Sequence, residues 1–240
     1  MKFLIDSHVH SLSSGHAYAT IYENIIHAKK LGLEAIAITD HAPEMPGTCH
    51  LFHFNNLKVI PKVVEGVRVF TGIELNILDV NGKIDAPEYT LKMLDVKIAS
   101  IHEILNDVDG IENITKTYVN TIKNNNINVI GHPCDIRYPF NIEEVVLAAK
   151  EHNVAFEINN CSLNKTSYRY DPDESIIDLL MCCKKHNVFV TCGSDSHYLD
   201  TLGNFDNTYE LLSRIDFPEK LILNANLQLF EDFVQSHKNK

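Results

Sequence analysis

The chain is 240 residues long, 45% hydrophobic and 22% charged, with a net charge of −11. That length and balance fit a folded globular protein with a large core, and they argue against nucleic acid or an anionic membrane surface as the main partner, because either needs a basic footprint. A small phosphorylated ligand stays open, since bound cations reverse the sign locally.

Short, nearly unbroken apolar runs alternate with stretches of helical period. The first run is KFLID (2–6). Thr20 and Glu23 then form a candidate capping box for a helix that Gly32 closes. AIAIT (35–39) follows, and then a segment, 42–66, marked by Pro43, Pro46, Gly47 and Pro61, which is read as a lid over whatever site the fold builds. VRVFTGI (67–73) precedes Asn81-Gly82, a tight hairpin turn by its composition. VKIAS (96–100) leads to a helix whose inner face is predicted as Ile111, Ile114, Tyr118 and Ile122. After INVIG (127–131), Asn141 and Glu144 open a helix with Val145 and Ala149 on its buried stripe. VAFEI (154–158) is followed by Asp171-Pro172-Asp173-Glu174, a cap, a first-turn proline and two acids. VFVTC (188–192) is the last run, with further helices expected near 206–214 and 225–236.

Apolar runs of this kind suit parallel strands buried on both faces. Seven of them, alternating with helices and lacking a glycine-rich phosphate loop, predict an α/β barrel or barrel-like sheet. With no linker or low-complexity tract, one domain over 1–240 is expected. Phe3-Leu4-Ile5 is too short for a secretory core, no run approaches the roughly 18 residues of a membrane helix, and a cytoplasmic location is expected. The cysteines, Cys49, Cys134, Cys161, Cys182, Cys183 and Cys192, form no C-x-x-C pair and read as reduced, mostly buried thiols.

The polar residues fall in a pattern of their own. Just past the first run come His8 and His10, with His16 close behind; past the second, Asp40-His41; past the third, Glu74; past the fourth, His102; past the fifth, His132; past the seventh, Asp195 and His197. The sixth offers Asn159 and Asn160. The carboxyl ends of parallel strands are where barrels build sites, and period two puts His8 and His10 on one face. His8, His10, His16, His41, Glu74, His102, His132, Asp195 and His197 make nine ligand-type side chains. Nine exceed what one ion takes and are generous for two; three ions fit if Glu74 bridges a pair. Imidazole with carboxylate favours zinc, with iron or manganese as alternatives and calcium disfavoured. His27, His152, His186 and His237 fall in or beside helices and read as solvated; His50 and His53, in segment 42–66, take no ligand role, with substrate contact as their alternative.

With these residues in view, the chain resembles the PHP superfamily, named for polymerase and histidinol phosphatase. The opening H-x-H, Asp40-His41, Glu74, His102, His132 and Asp195-Ser196-His197 match its motifs in order. HAYAT (16–20), TDHAPEM (39–45), GIELNI (72–77), EINNCSL (157–163), GSDSH (193–197) and FPEKLILN (217–224) look most like its small stand-alone YcdX-like phosphatases, with Cys161 a local departure that bears on substrate preference. The resemblance implies a distorted (β/α)7 TIM-like barrel holding three zinc ions. By position, it implies one ion on His8, His10, Glu74 and Asp195, a second on Glu74, His102 and His132, and a third on His16, His41 and His197.

The chemistry expected from such a site is phosphomonoester hydrolysis by metal-activated water, with no separate protein nucleophile; no G-x-S-x-G or Walker element is present. Asp6 and Asp40 could orient ligand imidazoles or simply solvate strand ends. Arg137, Lys165 and Arg169 are candidate phosphate contacts, with surface solvation as the simpler reading. Histidinol phosphatase and phosphodiesterase or exonuclease activity are alternatives on the same site. A non-catalytic metal-binding protein is the alternative of a different class. The substrate and the oligomeric state stay open.

Overall fold

The computed structural model describes residues 1–102, 108–164 and 173–238. Seven parallel strands form one sheet: β1 (Ile5–Val9), β2 (Ala35–Ile38), β4 (Val67–Asn76), β5 (Val96–Ser100), β6 (Val129–Ile130), β7 (Ala155–Asn159) and β8 (Val190–Gly193), paired in that order. A two-residue strand, β3 (Val63–Val64), pairs antiparallel with β4. The helices are α1 (Ile21–Leu31), α2 (Leu51–Asn56), α3 (Glu88–Leu91), α4 (Ile111–Asn124), α5 (Ile142–His152), α6 (Asp173–His186), α7 (Asp206–Arg214) and α8 (Leu227–Lys238). The expected α/β barrel-like sheet is what forms.

The sheet curls until its two end strands meet. At the carboxyl end, Asp195 N–H donates to His8 O and His10 N–H to Ser196 O, each at 3.0 Å. Toward the other end a side chain does what a strand would do. Asn224 donates from Nδ2 to Ile5 O at 2.9 Å and Cys192 O at 2.7 Å, and its Oδ1 accepts from Cys192 N at 2.6 Å. One amide therefore stands in for the missing ladder between β1 and β8.

Alternation along each strand sorts its residues between the barrel interior and the helices outside. Ile5, Ala35, Ala37, Phe70, Val96, Ile98, Val129 and Ala155 cluster with Phe230, Phe233 and Val234 of α8, which plugs the amino-terminal end. Ile36, Ile38, Val67 and Val69 face the opposite way, against Ile25 and Ala28 of α1. Further up the inner face, two residues past Ile98 and Ala155 and four past Phe70, apolar side chains give way to Ser100, Glu157 and Glu74, all buried. The β1–β2 register slips between Asp6 and Val9. That irregularity resets the parity of β1, so Ile5 joins the floor while Val9 joins the outer cluster and the histidines beside it turn inward.

Local signals account for the helix boundaries. Thr20 Oγ1 accepts from Glu23 N–H, Glu23 Oε2 accepts from Thr20 N–H, and Gly32 ends α1 at φ 74°. Asn141 caps α5 through Glu144 N–H. Asp171 and Pro172 lie outside the described residues. Asn81-Gly82 makes the expected turn, closed by the Ile77–Ile84 bridge.

Three expectations need correction, and a fourth gains detail. The first strand runs 5–9 rather than 2–6, which puts His8 inside it. Ile111 is exposed, because α4 starts there, ahead of its packed length. Segment 42–66, expected as a lid, is anchored by Phe54 and Leu57, which belong to the main core. His237 is fully buried, its Nδ1 2.9 Å from Phe233 O, because α8 tucks under the barrel. None of the six cysteines is in a disulfide, and four of them are buried.

Candidate metal centre

The nine ligand-type side chains meet at the carboxyl end of the barrel. His8 Nε2 lies 3.0 Å from His10 Nε2 and 3.4 Å from Glu74 Oε2. His10 Nε2 is 3.0 Å from Asp195 Oδ1. Glu74 Oε1 is 3.0 Å from His132 Nε2 and 3.3 Å from His102 Nε2. His16 and His197 bring their Nε2 atoms to 3.0 Å, with the His41 ring 5.0 Å from that of His16. His41 also reaches inward, Nδ1 to Glu74 Oε2 at 2.7 Å, so Glu74 sits at the junction of all three groups. The groups around Glu74 are buried, whereas His16 is exposed and His197 half-buried at the rim.

The backbone is bent to make this possible. His132 has φ 27° and Asp195 φ 52°. Left-handed conformations cost a non-glycine residue about 1–3 kcal/mol each and persist where the surroundings impose them. Two glycines make room in the same layer. A methyl on Gly131 would collide with Ser100 Oγ, which donates to Glu74 Oε1 at 2.8 Å. A methyl on Gly193 would collide with Glu157 Oε1 and His8 Cβ.

The hydrogen bonds behind the rings decide which nitrogens face inward. His8 Nδ1 is 2.7 Å from Glu157 Oε1, a carboxylate that can only accept, so Nδ1 carries the proton. Ser14 Oγ donates to Asp40 Oδ1 at 2.7 Å, so it accepts from His10 Nδ1 at 3.0 Å. Asn76 donates from Nδ2 to Asp85, which turns its Oδ1 toward His102 Nδ1 at 2.7 Å. His197 Nδ1 donates to Asp195 O at 2.9 Å. In the neutral rings, Nε2 of His8, His10, His102 and His197 is then a bare lone pair aimed into the cluster. Two such lone pairs 3.0 Å apart, as in His8 and His10, repel unless a cation or proton lies between them. His41 Nδ1 and Glu74 Oε2, both buried and 2.7 Å apart, make no hydrogen bond. Donor set and orientation both fit divalent cations of the zinc class.

The charge of the cluster is divided unevenly among its members. Burial would raise Glu74, but His41, His8 and His102 outweigh it and hold the carboxyl well below its usual range. Burial lowers His8, yet Glu157, Glu74 and Asp195 together drive it well above normal. His10 is pushed well below normal by burial and by His41 and His197. Burial, then the same two histidines, lower His16. Buried carboxylates cost several kcal/mol each unless cations compensate them, and among the described residues the ion-pair partners of Glu74 and Glu157 are all imidazoles.

Asp6 and Asp40 are both fully buried, which rules out plain strand-end solvation. Asp40 acts on His10 through Ser14 and accepts from Ser11 N–H, Ser11 Oγ and His53 Nε2. Burial would raise its carboxyl, but His53, His10 and the Ser11 and Ser14 donors bring it down to about 2. Asp6 accepts from the Ser194 and Gly203 amides at 3.1 and 2.9 Å and from His8 N–H at 3.4 Å, so it fixes the backbone that carries His8 and Asp195 and, among the described residues, makes no hydrogen bond to an imidazole. Burial raises its pKa. His53 is thus tied to Asp40 rather than solvated, and the exposed His50 caps α2. Arg137 is bound to Asp135, Nη2 to Oδ2 at 2.6 Å, while Lys165 and Arg169 lie outside the described residues. Asn159 Nδ2 donates to Asp195 Oδ2 at 3.1 Å, whereas Asn160 Oδ1 accepts from Thr208 N–H on α7.

Sequence reasoning missed Glu157. It sits inside VAFEI, where the run reads as apolar; only its place two residues before Asn159, on the same strand face, marks it as inward. His186 is half-buried against Glu143, in a second cluster with Cys182. There Lys185 neutralises Glu143, and burial with the carboxylate holds the Cys182 thiol up at about 11, so the group is a satisfied ion-pair network.

The PHP domain family matches residues 6–234. A relative from Acetivibrio thermocellus, named a probable phosphatase, is 40% identical over 240 residues, covering 100% of this chain and 98% of its own. One from Caldanaerobacter subterraneus subsp. tengcongensis, also named a probable phosphatase, is 43% identical over 242 residues, covering 100% and 94%. Among solved structures, the histidinol phosphate phosphatase of Lactococcus lactis, complexed with zinc, L-histidinol and phosphate, aligns with a TM-score of 0.64 at 20% identity, covering 89% of this chain and 94% of that one. That last likeness is one of fold.

Proposed function

Because the chain belongs to the PHP domain family, whose relatives above are named phosphatases, we propose that it is a metal-dependent phosphatase that hydrolyses small phosphomonoesters at a centre of three divalent cations, zinc foremost, within one domain. His8, His10, Glu74 and Asp195 would hold one ion, Glu74, His102 and His132 a second, and His16, His41 and His197 the third. When bound, such ions supply Lewis-acid charge to phosphoryl oxygens and lower the pKa of water.

The observation that carries the reading is the set of bare imidazole nitrogens aimed at one another around Glu74. The protein's part is to hold that donor set open. Glu157, Ser14, Asn76 and the Asp195 carbonyl keep Nδ1 protons outward, so Nε2 is unprotonated where a cation binds. Ser14 is not a nucleophile on this geometry, because its own proton is given to Asp40 while His10 donates to it. The half-exposed rim of His16 and His197 is the side from which a phosphate reaches the centre. The net charge of −11 supports a small ester over a nucleic acid.

The test is chelation followed by metal replacement, read on p-nitrophenyl phosphate and on its bis-ester. Loss of monoester hydrolysis with chelator and recovery with zinc or manganese is expected, with much weaker diester turnover. Full activity after verified metal removal overturns the proposal.

A further inference from the structure

We infer that Glu157 is a positioning residue that couples two of the metal-holding groups, so that the His8 group and the His132 group fill cooperatively. This rests on the metal-centre reading above and adds a residue to it that holds no ion itself.

Glu157 is fully buried in the middle of β7 and splits its two oxygens between two neighbours. Oε1 accepts from His8 Nδ1 at 2.7 Å, and Oε2 accepts from His132 N–H at 2.9 Å. His8 belongs with His10, Glu74 and Asp195; His132 belongs with Glu74 and His102. The same carboxylate therefore sets the tautomer of a ring in one group and pins the backbone of a ligand in the other. The pinned residue is the one at φ 27°, a conformation that histidine leaves unless something holds it.

Three features argue against a mere core filler. A carboxylate is a poor filler, and Glu157 lies in ion-pair range of His8, whose Nδ1–H it accepts. Only a carboxylate offers an acceptor at both ends of the fork; glutamine would turn an NH2 toward one of two donors. Gly193 leaves the space in which Oε1 and His8 Cβ meet, so the neighbouring strand is shaped around the contact. An ion that fixes the His8 ring fixes Glu157, and with it the His132 backbone. By reciprocity the second group presets the first.

The test is zinc titration of metal-stripped protein against a chromophoric competing chelator, with folding checked by circular dichroism and the His8 Nδ1–H followed by imidazole 15N spectroscopy. Wild type should take up its first two ions in one cooperative step. Glu157→Gln should split that step, lower affinity for the pair by about 10–100-fold, as loss of such outer partners does, and lose the protected His8 Nδ1–H signal, while the His16, His41 and His197 group binds as before. Glu157→Asp keeps the charge but is one methylene too short to reach both donors, and should give the same split; it decides the question if Glu157→Gln does not fold. A folded variant that binds zinc with wild-type affinity and cooperativity overturns the inference alone. Wild type that binds no zinc overturns the metal-centre reading, and the inference with it.

Discussion

The floor of the barrel and its mouth draw on the same strands. Along β4 the inward side chains run from Phe70, whose ring is 4.9 Å from Phe230 of α8, up through Gly72 to Glu74 among the imidazoles. Along β7 they run from Ala155 on the floor to Glu157 behind His8. The floor is closed by interchangeable apolar packing. The mouth is built from left-handed ligand backbones, glycines that admit a carboxylate or a hydroxyl, and acids kept under imidazoles. Two adjacent layers of one barrel thus carry opposite demands, stability below and unsatisfied donor atoms above. Each layer should therefore fail in its own way when it is cut.

The largest effect is expected at Glu74, which lies within ion-pair distance of His8, His10, His41, His102 and His132. Glu74→Gln should lower turnover on an aryl phosphate by about 10^3- to 10^4-fold, several kcal/mol of transition-state stabilisation, and should reduce bound metal by elemental analysis. Retention of wild-type turnover would break the assignment of Glu74 as the shared group. Phe230→Ala is the counterpart on the floor. It should cost about 3–5 kcal/mol in urea unfolding and leave kcat of the folded protein within about twofold, because Phe230 packs on the apolar floor, a layer below the imidazoles. A large loss of kcat at unchanged stability would show that floor and mouth are not separable.

How much of this the residues announced follows from the same division. His8, His10, His41, Glu74, His102, His132, Asp195 and His197 stand at or just past the ends of apolar runs, so strand periodicity was enough to bring them to one rim. Asp40 was legible because it precedes a ligand. Glu157 was not, since a strand buried on both faces shows no alternation, and an acid inside it looks like an interruption rather than a position. The first strand was set three residues early for a related reason: its histidines read as a terminus, while the chain continues as strand through Val9. The packing of α2 depends on Phe54 and Leu57 meeting distant core residues, which local sequence does not encode.

Asn224 joins the two layers, because it spans the β1–β8 seam beneath the point where His8 and Asp195 pair. Asn224→Ala would strand the Ile5 carbonyl and the Cys192 amide in a dry interior, while the Cys192 carbonyl keeps Ser7 Oγ as a donor at 3.0 Å. Orphaned groups of this kind cost about 1–3 kcal/mol, so a loss near the upper end of that range is expected in the denaturant midpoint, larger than for any surface asparagine. Hydrogen exchange at the Cys192 amide should accelerate in parallel. An unchanged midpoint would mean that the backbone contacts at the carboxyl end close the barrel without it.

The smallest effect is expected where the cover segment meets the centre. His53 Nε2 lies 3.2 Å from Asp40 Oδ2, and its Nδ1 is 3.3 Å from Ser13 Oγ. In His53→Ala, Asp40 keeps Ser11 N–H, Ser11 Oγ and Ser14 Oγ as donors, so its carboxylate stays satisfied and its link through Ser14 to His10 survives. Stability should fall by about 1 kcal/mol, the worth of one partly buried hydrogen bond, and turnover should change only a few-fold with metal content intact. Because Phe54 and Leu57 anchor α2 in the core independently, the cover should stay in place without its histidine. A collapse of metal content in this variant would mean that Asp40 depends on α2, and the mouth would then extend beyond the strands that build it.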